Sequence, residues 1–478
     1  MTAGPPSNIV RARLVARRRG APLFSPLAAA LLLAQATPAR DPVAPTPIPA
    51  GSSLREPLPP APEEPVPAGP LLPLSEVLRV ARNSNTDLAL SRERILAAEI
   101  QVSRAWDALK PVLTGTLTET HNSVGVTVFD PKTFLATEGG KNAFAASLNA
   151  SWNLFNGRAI PAIRSAQQEV EVSRLTESSQ RRELLLSVAS TYFSGTSLKK
   201  LALVAFRQSK TTREHAAQAQ ARFEAGLIQR SAAVRARVDV VRADEEARRA
   251  IFSYLSSKSQ LAALLDRHDT AFELEEPKAP PEEIRGAFTE LFEKALRDRP
   301  EMAASRANQE IAARLKTDAW FQFLPTLAAS GRAGYANPSQ LAGETSTWSV
   351  ALALTLPLYD GGFRYAALRD ADSQLRLAKT QTRGQVARIE DELRQGQIAL
   401  DSSKALRDEA EQEVAASREN NQLINAQFAA GTATQVEVSD AQTALFQSEA
   451  TLLQQQLAVQ LAALRLAKAV GAFDPQSQ

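Results

Sequence analysis

One pattern occurs twice in this chain, about 205 residues apart, and it dictates lengths that few compact domains can hold. Ser151-Trp152-Asn153-Leu154-Phe155-Asn156-Gly157 ends an alternating stretch and opens a long polar helix that closes at Arg222-Phe223-Glu224-Ala225-Gly226. Leu356-Pro357-Leu358-Tyr359-Asp360-Gly361-Gly362 opens a second, which closes at Gln427-Phe428-Ala429-Ala430-Gly431. Gly226 lies 69 residues after Gly157 and Gly431 lies 70 after Gly361. At a rise of about 1.5 Å per residue each helix is about 100 Å long. A repeated unit of strand pair plus very long helix builds an object that bridges a distance, not one that closes around a pocket.

The remaining helices fit that frame. After each closing glycine a return helix is expected, Ser231 to about Leu265 and Thr434 to about Val470. Before each strand pair another is expected, Leu74 to Ala108 and Ala287 to Trp320. Each of the four is about half a long helix, so a return helix stacked end to end on a preceding helix matches one long helix. Gly226 and Gly431 suit the left-handed geometry that stops a helix and reverses the chain, at the end farthest from the strands.

Asn142–Phe155 alternates with period two. Phe144, Ala146, Leu148, Ala150, Trp152 and Leu154 share one face, and Ala145, Ser147, Asn149, Ser151 and Asn153 the other. In the second repeat Trp348, Val350, Leu352, Leu354, Leu356 and Leu358 alternate with Ser349, Ala351, Ala353 and Thr355. The partner strands are expected over Val112–Thr120 and Thr326–Tyr335. An apolar face backed by a small-polar face suits a barrel with lipid outside and water inside. Trp152, Phe155, Trp348 and Tyr359 fall toward the ends of the apolar faces, where interfacial aromatics belong. The competing arrangement is a pair of soluble hairpins packed on a protein core. Four strands cannot close a barrel in lipid, because an open edge leaves backbone groups unpaired, so subunits must complete it together. The first hairpin connection is longer than the second, and its extra residues are expected within His121–Gly140.

Along the second long helix a three-four seam reads Leu375, Ala378, Val386, Ile389, Leu393, Leu400, Ala410, Val414, Ile424 and Phe428. Thr382, Gly396, Ser403, Arg407, Ser417 and Asn421 interleave with them. This is coiled-coil spacing with a diluted core, as expected where helices pack side by side and another face meets water.

The chain start reads as an export signal over residues 1–36: Arg11, Arg13, Arg17, Arg18 and Arg19, then an apolar run ending in Ala34-Gln35-Ala36. Removing it takes away five positive charges and no negative ones, moving the formal net charge from +3 to −2. A nucleic-acid partner is therefore not indicated. No other segment approaches the roughly 20 continuous apolar residues of a membrane helix. Residues 37–73 hold 13 of the 28 prolines and read as an extended linker. The repeats then occupy 74–271 and 286–473, joined by a linker over 272–285 and followed by a tail over 474–478. Cysteine is absent, which excludes disulfides, thiolate metal sites and cysteine nucleophiles.

Both junctions, Leu-Phe-Asn-Gly and Pro-Leu-Tyr-Asp-Gly-Gly, and both turns, Arg-Phe-Glu-Ala-Gly and Gln-Phe-Ala-Ala-Gly, stand in register over about residues 74–473. Together they resemble the TolC-type outer membrane efflux protein family. The resemblance implies a mainly α fold with membrane β: a homotrimer whose 12-stranded β-barrel in the outer membrane is continuous with an α-helical periplasmic tunnel. It implies an exit duct of a tripartite efflux or type I secretion system, docking through a periplasmic adaptor to an inner-membrane pump. The junction residues are then Asn156, Gly157, Asp360, Gly361 and Gly362, and the tip turns Gly226 and Gly431. Acids ringing the tunnel mouth fall on Glu437 and Asp440, and the tip aromatic on Phe428. Glu437 and Asp440 lie three apart on one helix face, so a trimer presents six acids and favours cations. Alternatively, they serve the first turn of their helix through its dipole. The family's basic residue two positions after the second tip glycine is Ala433 here, and its Thr-Asp pair at the facing tip is Ser231 and Ala232, so the resemblance carries no latch onto those positions. Lipid-anchored relatives begin at a cysteine, which this chain lacks.

Other classes have less support. His121, His215 and His268 are isolated, without nucleophile-base pairing or metal-ligand spacing, so neither an enzyme nor a cofactor is indicated. A periplasmic coiled-coil adaptor or scaffold shares the long helices, but it carries one hairpin and small β domains where this chain has two equivalent repeats.

Overall fold

The computed structural model describes residues 58–64, 69–123, 127–130, 135–138, 141–277, 284–337 and 344–473, with 127–130 and 135–138 as backbone only. The chain divides after Glu56, and everything described belongs to the unit beginning at Pro57. The expected signal peptide, the first part of the proline-rich linker and the tail lie outside the described residues.

The first repeat runs β1 (Leu71–Leu72), α1 (Leu74–Ser84), α2 (Thr86–Asp107), β2 (Val112–His121), β3 (Thr127–Asp130), β4 (Leu135–Glu138), β5 (Asn142–Phe155), α3 (Ala159–Glu224) and α4 (Arg230–Leu264). The second runs β6 (Glu273–Leu274), α5 (Phe288–Asp298), α6 (Pro300–Phe321), β7 (Thr326–Asn337), β8 (Ser346–Thr355), α7 (Phe363–Ala429) and α8 (Gln435–Val470). The two long helices contain 66 and 67 residues, as their bounding motifs require. Hairpin β3–β4 lies inside the longer first connection, where the extra residues were expected.

The helices before the strands differ from expectation. Each is two helices, broken at Asn85 and at Arg299. At the first break Asn85 is extended, and its side chain accepts hydrogen bonds from the Asp87 and Leu88 amides, the geometry of a helix N-cap. At the second, Pro300 takes the first helical position and pushes Arg299 out of the helical region. The break determines what stacks on what. Asn85 Nδ2 donates to the Leu264 carbonyl at 3.2 Å, so the end of α4 meets the start of α2. In the second repeat Gly471, just past α8, lies against Asp298 and Arg299, so α8 meets the start of α6. Only the segments after each break continue the return helices. The short segments α1 and α5 turn aside, α1 to bury Val77, Leu78 and Ala81 in a core shared with Leu185, Val188, Tyr192 and Phe193 of α3.

The α7 seam is as the spacing predicts, with Ile389, Leu393, Leu400, Ala410, Val414 and Phe428 buried. Its polar members do work for the packing: Thr382 bonds Ser305 of α6 at 2.7 Å, and Gly396 admits Leu466 of α8.

The residues that open the inter-repeat linker are part of the core. Phe272, Glu273 and Leu274 are buried, and β6 pairs with β1 in parallel. The Glu273 carboxylate receives Tyr254 Oη at 2.7 Å, Lys258 Nζ at 3.1 Å and Lys199 Nζ at 2.9 Å. Burial alone would raise the pKa of Glu273, but those hydrogen bonds and charges outweigh it and hold the group at about 2. Part of the proline-rich segment is also fastened. Leu58 packs on the small-residue seam of Ala216, Ala219, Ala236 and Val240 between α3 and α4. Arg213 and Arg248 donate to the Pro59 and Pro60 carbonyls at 2.8 and 2.6 Å.

Candidate functional site

Four strands form one antiparallel sheet in the order β2-β5-β7-β8, so the two repeats meet at the β5–β7 pair. Directly paired residues point the same way, and the register sorts the faces. Leu117, Ala146, Tyr335 and Ser346 form one cross-strand row, and Gly115, Leu148, Ala333 and Trp348 another on the same face. Between them, on the opposite face, lie Thr116, Ser147, Gly334 and Thr347.

The apolar face is not covered by protein. Trp348 is 81% exposed, Val350 76%, Leu117 77% and Leu358 86%. Among the described residues, no core of this chain covers these side chains, whereas the soluble-hairpin arrangement requires one. Aromatics mark both limits of the face. Phe144 and Tyr335, with ring centroids 6.4 Å apart, stand with Trp348 toward one end. Trp152, bonded through Nε1 to the Leu109 carbonyl at 2.9 Å, stands with Phe155 toward the other. Phe144 and Trp152 are eight residues apart, about 27 Å along a strand, which with strand tilt fits a lipid-facing band about 25 Å tall.

The strand-to-helix junctions are built alike. Asn156 Oδ1 accepts from the Arg158 amide at 3.2 Å, and Asp360 Oδ1 accepts from the Gly362 amide at 3.1 Å. Gly361 and Gly362 take φ of 69° and 93°, a pair of left-handed residues that turns the chain from strand into helix. Arg364 then donates to Asp360 at 2.7 Å and to the Pro357 carbonyl at 2.9 Å, with its guanidinium 4.8 Å from the Phe323 ring centroid. The Arg364 hydrogen bond is the main reason the Asp360 carboxyl stays below its usual range. In the first repeat Gly157 leaves room for Leu324, and Arg158 makes a forked pair with Asp318 of α6, tying the first junction to the second repeat.

At the far end Gly226 and Gly431 take φ of 72° and 78°. The Leu227 amide reaches back to the Arg222 carbonyl, and the Thr432 amide to the Gln427 carbonyl, both at 2.9 Å, so the two turns are closed by the same helix-ending hydrogen bond. Thr434 caps α8, and Glu437 returns a carboxylate oxygen to the Thr434 amide at 2.6 Å. That amide, then the Thr434 hydroxyl, holds the Glu437 carboxyl below its usual range. Asp440 is exposed and has Arg235 Nη2 of α4 at 3.7 Å. Phe428 is buried beneath the Arg222 guanidinium, 4.3 Å from the ring centroid. Asp239 accepts from the Ser439 hydroxyl at 2.8 Å.

Residues 77–267 and 291–472 match the sequence profile of the family described as Outer membrane efflux protein. The chain belongs to the outer membrane efflux protein family. Solved structures with the same fold include the Campylobacter jejuni CmeC outer membrane channel, with a TM-score of 0.72 at 17% identity over 85% of this chain and 87% of that one. The outer membrane protein VceC of Vibrio cholerae follows at 0.70 and 20% identity, over 83% of this chain and 96% of that one. The Neisseria gonorrhoeae MtrE outer membrane channel in its open state gives 0.68 at 20% identity, covering 85% and 90%. A search of curated proteins returns no match.

An outer membrane efflux protein is an exit channel, which sets the adaptor reading aside and places this chain in the outer membrane. No helix among the described residues is long and apolar enough to cross a membrane. At the tip, sequence reasoning singled out Glu437, Asp440 and Phe428 but not Arg222 over Phe428, Arg235 beside Asp440, or the nearby Asp239–Ser439 bond. Arg235 and Asp239 are four residues apart on one face of α4, one turn beyond Ser231, where the family resemblance had directed attention.

Proposed function

We propose that three copies pair the free edge of β8 with the free edge of β2 of the next copy. A 12-stranded barrel closes in this way, its apolar face in outer-membrane lipid and its small-polar face around water. The carrying observation is the uncovered apolar face together with two sheet edges that have no partner among the described residues. The apolar face is costly in water, and the open edges are costly in lipid unless copies close the sheet. The long helices then continue the duct across the periplasm for about 100 Å. Their tips receive a periplasmic adaptor, which links the duct to an inner-membrane pump, and solutes leave by this route.

The tip is the gated end in this reading. Arg222 over Phe428, Arg235 beside Asp440 and Asp239 bonded to Ser439 hold the two hairpins of one protomer together, and Glu437 and Asp440 line the mouth. Mass measurement of the detergent-solubilised mature protein tests the assembly, and a trimer is expected. A stable monomer would sink the barrel assignment.

A further inference from the structure

The polar face of the sheet carries one formal charge among the described residues of its four strands. Arg332 lies mid-strand in β7, and its cross-strand row reads Thr114, Asn149, Arg332 and Ser349. The row on one side is Thr116, Ser147, Gly334 and Thr347, and on the other Val112, Ser151, Ser330 and Ala351. Neither supplies a carboxylate. Glu119, the one acid of these strands, pairs with Phe144 in register and so falls on the apolar face toward the outer end. Among the described residues no acceptor lies within bonding reach of the Arg332 guanidinium, whereas the acids of the tip are each engaged by a neighbour.

We propose that Arg332 is a selectivity residue: three copies form a cationic ring midway through the barrel, and the ring favours the exit of anions and of amphiphiles with an anionic end. This rests on the closed barrel proposed above. Twelve strands about 4.8 Å apart and tilted about 40° enclose a backbone cylinder of about 12 Å radius. Arginine side chains projecting inward from that wall bring their charges to within about a Debye length of the axis, some 8 Å at 0.15 M salt. A solute on the axis therefore feels all three at once, and the neutral Ser, Thr and Asn lining adds no opposing charge.

The test is reversal potential in planar bilayers under a KCl gradient, using the full mature trimer. Replacing Arg332 with Gln should raise the potassium-to-chloride permeability ratio about threefold to tenfold, Arg332→Glu should raise it further, and Arg332→Lys should leave it near wild type. The chain has no cysteine, which allows a second readout free of background. An Arg332→Cys channel should react with charged, water-borne thiosulfonates while Ala333→Cys, on the lipid face, should not. Attaching a positive group to the new thiol should restore the wild-type ratio, and a negative one should move it further toward cations. An unchanged ratio in Arg332→Gln channels of normal conductance overturns the proposal and leaves the duct standing. Wild-type protein that forms no conducting trimer overturns both.

Discussion

At the residue scale the tip is held by contacts that composition hides. Arg235 and Asp239 of α4 reach Asp440 and Ser439 of α8, and these bonds lie near the turn, where the hairpins have few other ties. Replacing Arg235 and Asp239 together with Ala is expected to leave trimers intact and to raise single-channel conductance. Conductance equal to wild type would place the gate elsewhere. Glu437 has two roles to separate, mouth charge and helix cap. Its folded pKa is lowered, so the cap is fully present above the ordinary glutamate range and is lost as pH falls through the lower folded value. Amide protection over residues 435–440, corrected for intrinsic exchange, should fall in that acidic window and not between pH 6 and 8. Replacing Glu437 and Asp440 with Ala should lower cation preference in bilayers if they line the mouth. Selectivity that stays put while protection drops would leave Glu437 a cap alone.

At the element scale the lengths of the long helices were legible because a glycine turn and a strand junction bracket each one, and both are backbone signals. The breaks at Asn85 and Arg299 were not read, although both residue types are textual cues: an Asn before Thr-Asp, and an Arg before Pro. Length concealed them, since Leu74 to Ala108 and Ala287 to Trp320 each span about half a long helix and so read as single helices. Asn85 caps α2 and also bonds the last turn of α4, so Asn85→Ala removes two functions with one side chain. It should cost about 1–2 kcal/mol in a denaturation midpoint. A cost near zero would mean that the stacked ends hold without it.

At the scale of the whole molecule, the faces of the sheet were readable from period two alone, and their exposure in a single chain is what supports the proposed lipid contact. Val350 and Ser349 are neighbours on opposite faces. An arginine in place of Val350 should cost about 2–4 kcal/mol near the bilayer midplane and deplete trimers from the outer membrane, while Ser349→Arg should assemble normally. Equal recovery of the two variants would reverse or abolish the assignment of faces. The buried Glu273 with Lys199, Lys258 and Tyr254 was invisible in sequence, because prolines and charges dominate the linker around Phe272 and Leu274 and the partners of Glu273 lie on two distant helices.

The breaks beside the stacked helix ends give the two halves of each repeat different tolerances to change in length. One residue added inside α3 or α7 turns everything beyond it by about 100° and carries one end of the rod out of phase with the other. One residue added at Asn85 or Arg299 meets no such continuity, because the helix there already stops and restarts under a fresh cap. Variation in length among descendants of this chain should therefore collect at those two splices and in the outer loops, while the 66- and 67-residue helices keep their count.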